Sequence, residues 1–121
     1  MLTDISFTDI YRHMADALSP AVFHILLALA GGERHGYGIM KEALRHSDGA
    51  VRLGAGTIYG TLQRLIENGW VAEAPRAGPR TVAGRARRYY RLTAKGREAL
   101  DDDVHRLEGL VRVARGLKEV R

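Results

Sequence analysis

Apolar side chains recur along this chain at spacings typical of amphipathic helices, interrupted after the middle by two short alternating stretches. The first helix-like stretch carries one apolar stripe with the spacing i, i+3, i+4, i+7 and i+11, formed by Phe7, Ile10, Tyr11, Met14 and Leu18. Ser19 and Pro20 then supply an N-cap and a first-turn proline for a second helix, which is apolar on nearly every side and ends at Gly31 and Gly32. A helix without a polar face is predicted to be the buried centre of the fold.

Two amphipathic helices are predicted next. The first covers residues 35–46 and is followed by a turn at residues 47–49. The other runs from about Gly56 to Asn68, with Gly69 in the position after the C-terminus where glycine is preferred. Their inner faces are predicted to carry Ile39, Met40 and Leu44 in the former and Ile58, Leu62, Leu65 and Ile66 in the latter.

Two short strands and a long helix complete the pattern. Residues 70–74 and 88–92 alternate between apolar and polar as strands do, and the loop between them contains prolines and glycines. Thr93 is placed to cap the last helix, whose Asp101, Asp102 and Asp103 are attributed to favourable interaction with the helix dipole. The predicted fold class is mainly α with a small β-hairpin, in the order of a winged helix-turn-helix with an additional N-terminal helix and a long C-terminal helix.

The stretch VRLGAGTIYGTLQRL supports two incompatible interpretations. Gly54, Gly56 and Gly60 resemble a loose dinucleotide-binding loop, and Glu73 lies about twenty residues after Gly54, where a ribose-binding acid is expected. Such a loop must follow a buried strand of a parallel sheet, but only residues 51–53 precede it, with an arginine among them. A helix that presents its outer face to DNA accounts for the stretch better, with an ordinary solvated face as the alternative.

The charge distribution suggests a polyanionic partner. The net charge is +5, yet residues 75–97 hold eight basic residues and no acidic one, which leaves −3 for the rest of the chain. A single basic stripe on a mildly acidic body is the expected footprint of a nucleic-acid-binding protein, and a solvated arginine-rich loop is the plain alternative.

Composition excludes several other classes. The absence of cysteine rules out a disulfide framework, a thiolate zinc site and a cysteine nucleophile. The histidines are scattered without the spacing of metal ligands, so neither a metal nor a cofactor is expected. The sequence begins with a mixed, acidic stretch and has no apolar run long enough for a bilayer, so a soluble cytoplasmic protein is expected.

Candidate DNA-binding residues fall into three groups. On the helix over residues 56–68, the face opposite the core carries glutamine and arginine, which pair with adenine and guanine edges. This reading group is Thr57, Gly60, Gln63 and Arg64, with Tyr59 on its flank. The candidate wing group is Arg76, Arg80, Arg85, Arg87 and Arg88. Tyr37 and Lys41, four residues apart on the preceding helix, could clamp a phosphate, and a packed tyrosine with a solvated lysine is an equally weighted alternative.

Three blocks in order resemble the PadR family of bacterial transcription regulators over roughly residues 20–100. They are HILLALAGGERHGYGIMKEAL, GAGTIYGTLQRLIENGWV and ARRYYRLTAKGREAL. The resemblance implies a dimeric winged-helix repressor of the short form, with a recognition helix that begins near Gly56 and includes Tyr59 and Arg64, and a wing between Glu73 and Tyr90. In some short-form members, tryptophans on the dimerisation helix bind flat aromatic drugs, whereas the tryptophan of this chain stands at position 70.

The last helix is predicted to pair with a second chain. Its apolar residues repeat at intervals of four and three, the a/d spacing of a coiled-coil seam: Leu100, Val104, Leu107, Val111 and Ala114. A second stripe is formed by Leu110, Val113 and Leu117. One face is expected to meet Phe7, Ile10 and Met14 of the N-terminal helix, and the other a second copy in a two-fold dimer.

Taken together, these patterns predict a transcriptional regulator without catalytic activity. Residues 1–18 are assigned to the N-terminal helix, residues 19–92 to the DNA-binding domain and residues 93–121 to the dimerisation helix. The expected partners are a palindromic operator in double-stranded DNA, a second copy of the chain, and a small-molecule or stress signal that releases the repressor. Two alternatives stay open: a winged helix used only for protein contacts, which would not need the unbalanced arginines, and a nucleotide-binding enzyme.

Overall fold

A computed structural model describes residues 17–74 and 88–120 of the chain, with side chains through residue 117. The predicted N-terminal helix and the loop between the two predicted strands therefore lie outside the described residues. The elements are α1 (Pro20–Ala30), β1 (Arg34–His35), α2 (Gly36–His46), α3 (Ala55–Glu67), β2 (Val71–Ala74), β3 (Tyr89–Leu92) and α4 (Ala94–Val120).

The local signals that bound the helices act as predicted. The Ser19 side chain accepts a hydrogen bond from the Val22 amide at 3.2 Å, and Pro20 occupies the first turn of α1. Gly69 follows α3 at φ 82°, a conformation that favours glycine, and its amide donates to the Ile66 carbonyl at 3.0 Å. The turn after α2 has Asp48 at φ 57° and Gly49 at φ 87°.

The core forms around α1, as the sequence predicts. Helix α1 contributes four buried residues and packs against α2, α4 and the sheet. The largest fully buried side chains are Ile25, Leu26, Ile39, Ile58, Leu62 and Val71. On α2 the prediction was right for Ile39, and Met40 packs against the core, but Ala43 is buried in place of Leu44, which is only half-buried.

The sheet has one strand more than predicted. Its order is β1-β3-β2, with both pairings antiparallel. The additional strand is β1, in which Arg34 and His35 pair with Tyr90 and Tyr89. His35 was predicted as the first residue of a helix, and α2 in fact begins one residue later. Helices α2 and α3 followed by the paired strands β2 and β3 define a winged helix-turn-helix, which confirms the predicted fold class.

Helix α4 begins against the body of the protein and extends beyond it. Leu100 is 3% exposed and lies in the core, and Val104 packs against the same core. Leu100 was predicted to lie in a dimer seam, and this is wrong, because its surface is already covered by its own chain. Within the described ranges, no helix combines the length and apolar character that a bilayer span requires.

Candidate nucleic-acid interface

Helix α3 turns one face into the core and leaves the opposite face open. Ile58, Thr61, Leu62 and Leu65 are buried. The four residues of the predicted reading group, Thr57, Gly60, Gln63 and Arg64, are all exposed. The structure thus places the reading group on one accessible surface, as the helical projection predicts.

The N-terminal half of this surface has little side-chain bulk. Gly54 is the N-cap and makes no side-chain capping bond, and Cβ atoms placed on Gly54, Gly56 or Gly60 would meet open space. The first backbone amides of a helix have no partner within the helix and carry its positive dipole end. This end of α3 can therefore approach a phosphate or a groove floor closely.

The C-terminal half of the surface borders a cleft. Gln63 Nε2 donates to Glu67 Oε2 at 3.5 Å, so these two side chains are paired along the helix. Arg64 lines a cleft of about 930 Å³ that lies between α1, α3 and α4, together with Leu65, Trp70 and Arg106. Arg64 is thus the member of the reading group that lines the cleft beside α4.

A carboxylate at the base of this cleft has a role that the sequence does not indicate. Asp103 is 4% exposed, accepts a hydrogen bond from Arg106 Nε at 2.7 Å and a longer one from the Leu18 amide at 3.4 Å. Asp101, Asp102 and Asp103 all lie beyond the first turn of α4, where the helix dipole acts, so their attribution to the dipole is wrong. Asp103 instead joins α4 to Leu18, two residues before α1, and only the tertiary contact shows this.

Tyr59 points away from the reading group. It is 49% exposed, but its ring end lies against Gly36 at the start of α2. The flank position predicted for Tyr59 is correct, and its hydroxyl lies against α2.

The proposed phosphate clamp is exposed at the start of α2. Tyr37 is 60% exposed, and Lys41 Nζ lies 5.5 Å from the centroid of its ring. The His35 side chain caps the same helix, since its Nδ1 accepts from the Gly38 amide at 3.1 Å, and its ring stacks on Tyr37. A phosphate clamp and a packed tyrosine with a solvated lysine both fit this arrangement, so the clamp stays a prediction.

The base of the wing is held by buried and paired side chains. Tyr90 is 3% exposed, and burial raises the pKa of its phenol, while a hydrogen bond with the Arg88 side chain opposes that rise. Arg88 also lies 3.7 Å from Glu73 across the hairpin. Tyr89 takes the other face of the strand, where its ring contacts His35 edge-on at 5.4 Å. The remaining predicted wing residues, Arg76, Arg80, Arg85 and Arg87, lie outside the described residues.

A charged cluster on α2 was not singled out by the sequence. Glu42 Oε1 is 2.7 Å from Arg45, 3.5 Å from His46 and 4.0 Å from Arg34. The hydrogen bond from Arg45 lowers the pKa of the Glu42 carboxyl. Because Arg34 belongs to β1, this cluster joins β1 to α2. In the described part of the chain, no three histidine, aspartate or glutamate side chains meet in a way that could hold a metal ion.

The distal half of α4 leaves its apolar side chains uncovered. Leu107 and Val111 of the predicted seam are 37% and 48% exposed, and Ala114 is exposed as well. Leu110, Val113 and Leu117 of the second stripe are 54%, 60% and 64% exposed. Their predicted partners Phe7, Ile10 and Met14 lie outside the described residues.

Solved structures share this arrangement of helices and sheet. A transcriptional regulator from Clostridium thermocellum aligns with 92% of this chain and 96% of its own, with a TM-score of 0.63 and 24% identity. A PadR family transcription regulator from Clostridium difficile R20291 aligns with 82% of this chain and 98% of its own, with a TM-score of 0.65 and 23% identity. This chain thus shares its overall fold with these two proteins.

The sequence comparisons identify the family. Residues 25–102 match the transcriptional regulator PadR-like family. Transcriptional regulator Rv3488 of Mycobacterium tuberculosis is 42% identical over 93 residues, which cover 77% of this chain and 80% of that protein. This chain belongs to the PadR-like family of transcriptional regulators. This is a family of regulators and not of enzymes. It therefore disfavours the interpretation of Gly54, Gly56 and Gly60 as a dinucleotide-binding loop.

Proposed function

We propose that this regulator binds a palindromic operator as a two-fold dimer and represses transcription from it. The observation that supports this most directly is the exposed face of α3, which has open backbone at its N-terminal half and Gln63 and Arg64 farther along. A helix with these features fits the major groove, where its polar side chains reach base edges.

Within this proposal, the residues divide by what they contact. Gln63 and Arg64 face base edges, and the small residues Thr57 and Gly60 allow the backbone to come close. The wing arginines face phosphates beside the groove, together with Tyr37 and Lys41 at the start of α2. Phosphate contacts fix the register of the protein on the duplex, and base contacts choose the sequence.

Dimerisation in this proposal uses the distal half of α4. Five large apolar side chains there are at least 37% exposed; Leu107 and Val111 continue the a/d seam, and the other three form the second stripe. A contiguous apolar surface on a small protein marks an interaction site. The proposal requires that a two-fold pairing of this face put both copies of α3 on one side of the dimer, as a palindrome demands.

Release by a small molecule or stress signal is the finer part of the proposal. The cleft bordered by Arg64, Trp70 and Arg106 supports it, because it touches both the reading helix and α4. A molecule that fills this cleft would act on both elements at once.

Selection of bound duplexes from a random DNA pool tests the function. We expect an inverted repeat with half-sites about 34–36 Å apart. Arg64→Ala should then weaken binding to the selected site by about 1–3 kcal/mol and relax the preference at one base pair per half-site. Arg112→Ala removes the same charge from the exposed side of α4 and serves as the matched control. A pool that yields no enriched sequence, with no binding to any duplex at low salt, would contradict the proposal and favour a module for protein contacts.

A further inference from the structure

We propose that Tyr59 is a positioning residue, which seats the recognition helix α3 against the start of α2 and thereby sets how sharply the regulator discriminates between DNA sequences. This inference rests on the proposed DNA-binding function. It assigns Tyr59 a role other than contact with DNA, although Tyr59 lies on the reading helix.

The first observation is the close approach between Tyr59 and Gly36. An ideal Cβ on Gly36 would lie 2.5 Å from Tyr59 Oη, 2.7 Å from Cζ and 2.9 Å from Cε1. No real Cβ tolerates such distances, so the ring end occupies the space that a side chain at position 36 would need. Gly36 is buried and is the first residue of α2, so the tyrosine ring covers the beginning of that helix.

The second observation is that three elements meet at this point. His35, which precedes Gly36, pairs with Tyr89 in the sheet and caps α2 through the Gly38 amide at 3.1 Å. Strand β3 continues to Tyr90, which is buried. The ring of Tyr59 therefore links α3 to the start of α2, and His35 ties that start to the strand that carries the wing.

The direction of the side chain separates positioning from reading. The reading group lies around Gly60, and Cβ atoms on Gly54, Gly56 and Gly60 meet open space. Tyr59 instead directs its hydroxyl end at Gly36, on the flank that faces α2.

A shift of α3 affects the two kinds of DNA contact differently. Paired hydrogen bonds to base edges depend on direction and distance, so a small rotation of the helix weakens them strongly. Contacts of mobile arginines with phosphates are electrostatic and tolerate such a shift. Loss of the contact between Tyr59 and Gly36 should therefore lower the affinity for the specific site and leave the affinity for random DNA nearly unchanged.

The experiment compares binding of the full-length protein to its selected duplex and to a random duplex. Tyr59→Ala should reduce the ratio of the two affinities by about tenfold or more, the loss expected when a paired base contact is misaligned. Tyr59→Phe keeps the ring on Gly36 and should stay within about twofold of the wild-type ratio. An unchanged ratio in Tyr59→Ala, or an equal loss in Tyr59→Phe, would overturn the inference.

Gly36→Ala supplies an independent arm, because the added Cβ displaces the ring without altering Tyr59. It should lower the ratio as Tyr59→Ala does, whereas Gly38→Ala, whose Cβ would make ordinary contacts at 3.6 Å or more, should not. Adding Gly36→Ala to Tyr59→Ala should cause no further loss, since the group it displaces is gone. Additive losses, or a Gly36→Ala protein that matches Gly38→Ala, would refute the role. Wild-type protein that binds no duplex would instead refute the proposed function.

Discussion

At Gly96 the last helix comes into close contact with the chain segment around Trp70 and Leu92. A Cβ there would overlap the carbonyl oxygen of Trp70 and lie 2.8 Å from Leu92 Cδ1. Thr93 secures the same junction, because its hydroxyl donates to the Gly69 carbonyl at 2.6 Å and accepts from the Gly96 amide at 3.0 Å. The threonine and the glycine of the YYRLTAKG sequence thus fix where α4 starts and how near it lies to Trp70.

Gly96→Ala should destabilise the protein, although alanine normally favours a helix. The overlap is with backbone, which cannot turn aside as a side chain can, so we expect a loss of about 1–3 kcal/mol or more in the free energy of unfolding. Gly109→Ala is the matched control on the same helix, since its Cβ would meet open space, and it should stabilise by about 0.5–1 kcal/mol. Denaturant midpoints of the two variants measure both effects, and equal midpoints would show that α4 does not approach Trp70 so closely.

Residue-scale predictions from the sequence succeeded where the cause is local. Ser19, Gly69 and Thr93 stabilise helix ends through bonds to neighbours along the chain, so these capping roles follow from spacing, although the bond from Thr93 to Gly69 does not. Tyr59 and Asp103 act through Gly36 and Leu18, which are distant in the sequence. A helical projection gives the side of a helix on which a residue lies but not which element lies opposite.

At the scale of elements, length decides what the pattern could predict. Each helix spans about three turns or more, which is long enough for the spacing of apolar residues to predict it. Strand β1 has two residues, too few to alternate, and its pairing with β3 depends on tertiary approach. The seam on α4 shows a second limit, because the a/d spacing is the same whether the partner is the chain's own core, as for Leu100, or a second copy.

Val111→Glu should convert a dimer into monomers. This side chain is 48% exposed at the middle of the uncovered apolar face, so the added charge would be buried only if two copies associate. Arg112→Glu also introduces a glutamate next to this position but on the polar side of α4, and it should leave the dimer intact. Sedimentation of both variants at micromolar concentration compares them. Wild-type protein that sediments as a monomer under these conditions would rule out the proposed assembly.

At the scale of the whole molecule, charge is concentrated where DNA binding is proposed. Residues 75–97 carry eight basic residues against a net charge of +5 for the chain. Each phosphate neutralised by such a residue releases counterions and adds about 0.9 to the slope of log affinity against log salt. On the proposal that the basic segment contacts phosphates, it is expected to set how strongly DNA binding depends on ionic strength.

Replacing Arg80 and Arg85 together by alanine should weaken binding to selected and random duplexes alike. The salt slope should flatten by up to about two units, because up to two phosphate contacts are lost. Replacing Arg112 and Arg115 together by alanine removes the same charge from the exposed part of α4 and should leave the slope nearly unchanged. Titrations at several salt concentrations give the slopes, and an unaltered slope in the first variant would show that the wing does not touch DNA.

Stability should fall as the solution becomes acidic, in part because of His24. Its Nδ1 is buried and finds no hydrogen-bond partner among the residues that the structure describes. Burial, with a smaller contribution from His46, lowers the pKa of His24 below the ordinary value of 6.5. Since the unfolded chain takes up this proton more readily, the stabilising contribution is complete above about pH 6.5 and is lost as the pH falls from there toward the folded pKa.

His24→Leu should reduce this dependence. Unfolding free energies measured at pH 7.5 and 5.5 should differ less in His24→Leu than in the wild type, because the titrating group is absent. His105→Leu removes an exposed histidine from α4 and should keep the wild-type difference. An identical pH difference in His24→Leu and the wild type would assign the effect to other groups.

The length of α4 gives the molecule the geometry of a lever. Its 27 residues span about 40 Å, with the fixed end at Leu100 and Asp103 beside α1 and the free end at the apolar face. A tilt of only about 6.5° about Leu100 would move the far end, roughly 30 Å away along the helix, by about 3.4 Å, which is close to the rise of one base pair. A change of packing in the cleft, too small to disturb the core, would thus be magnified along the helix. In a two-fold pair it would move the two reading helices out of step with consecutive turns of the DNA.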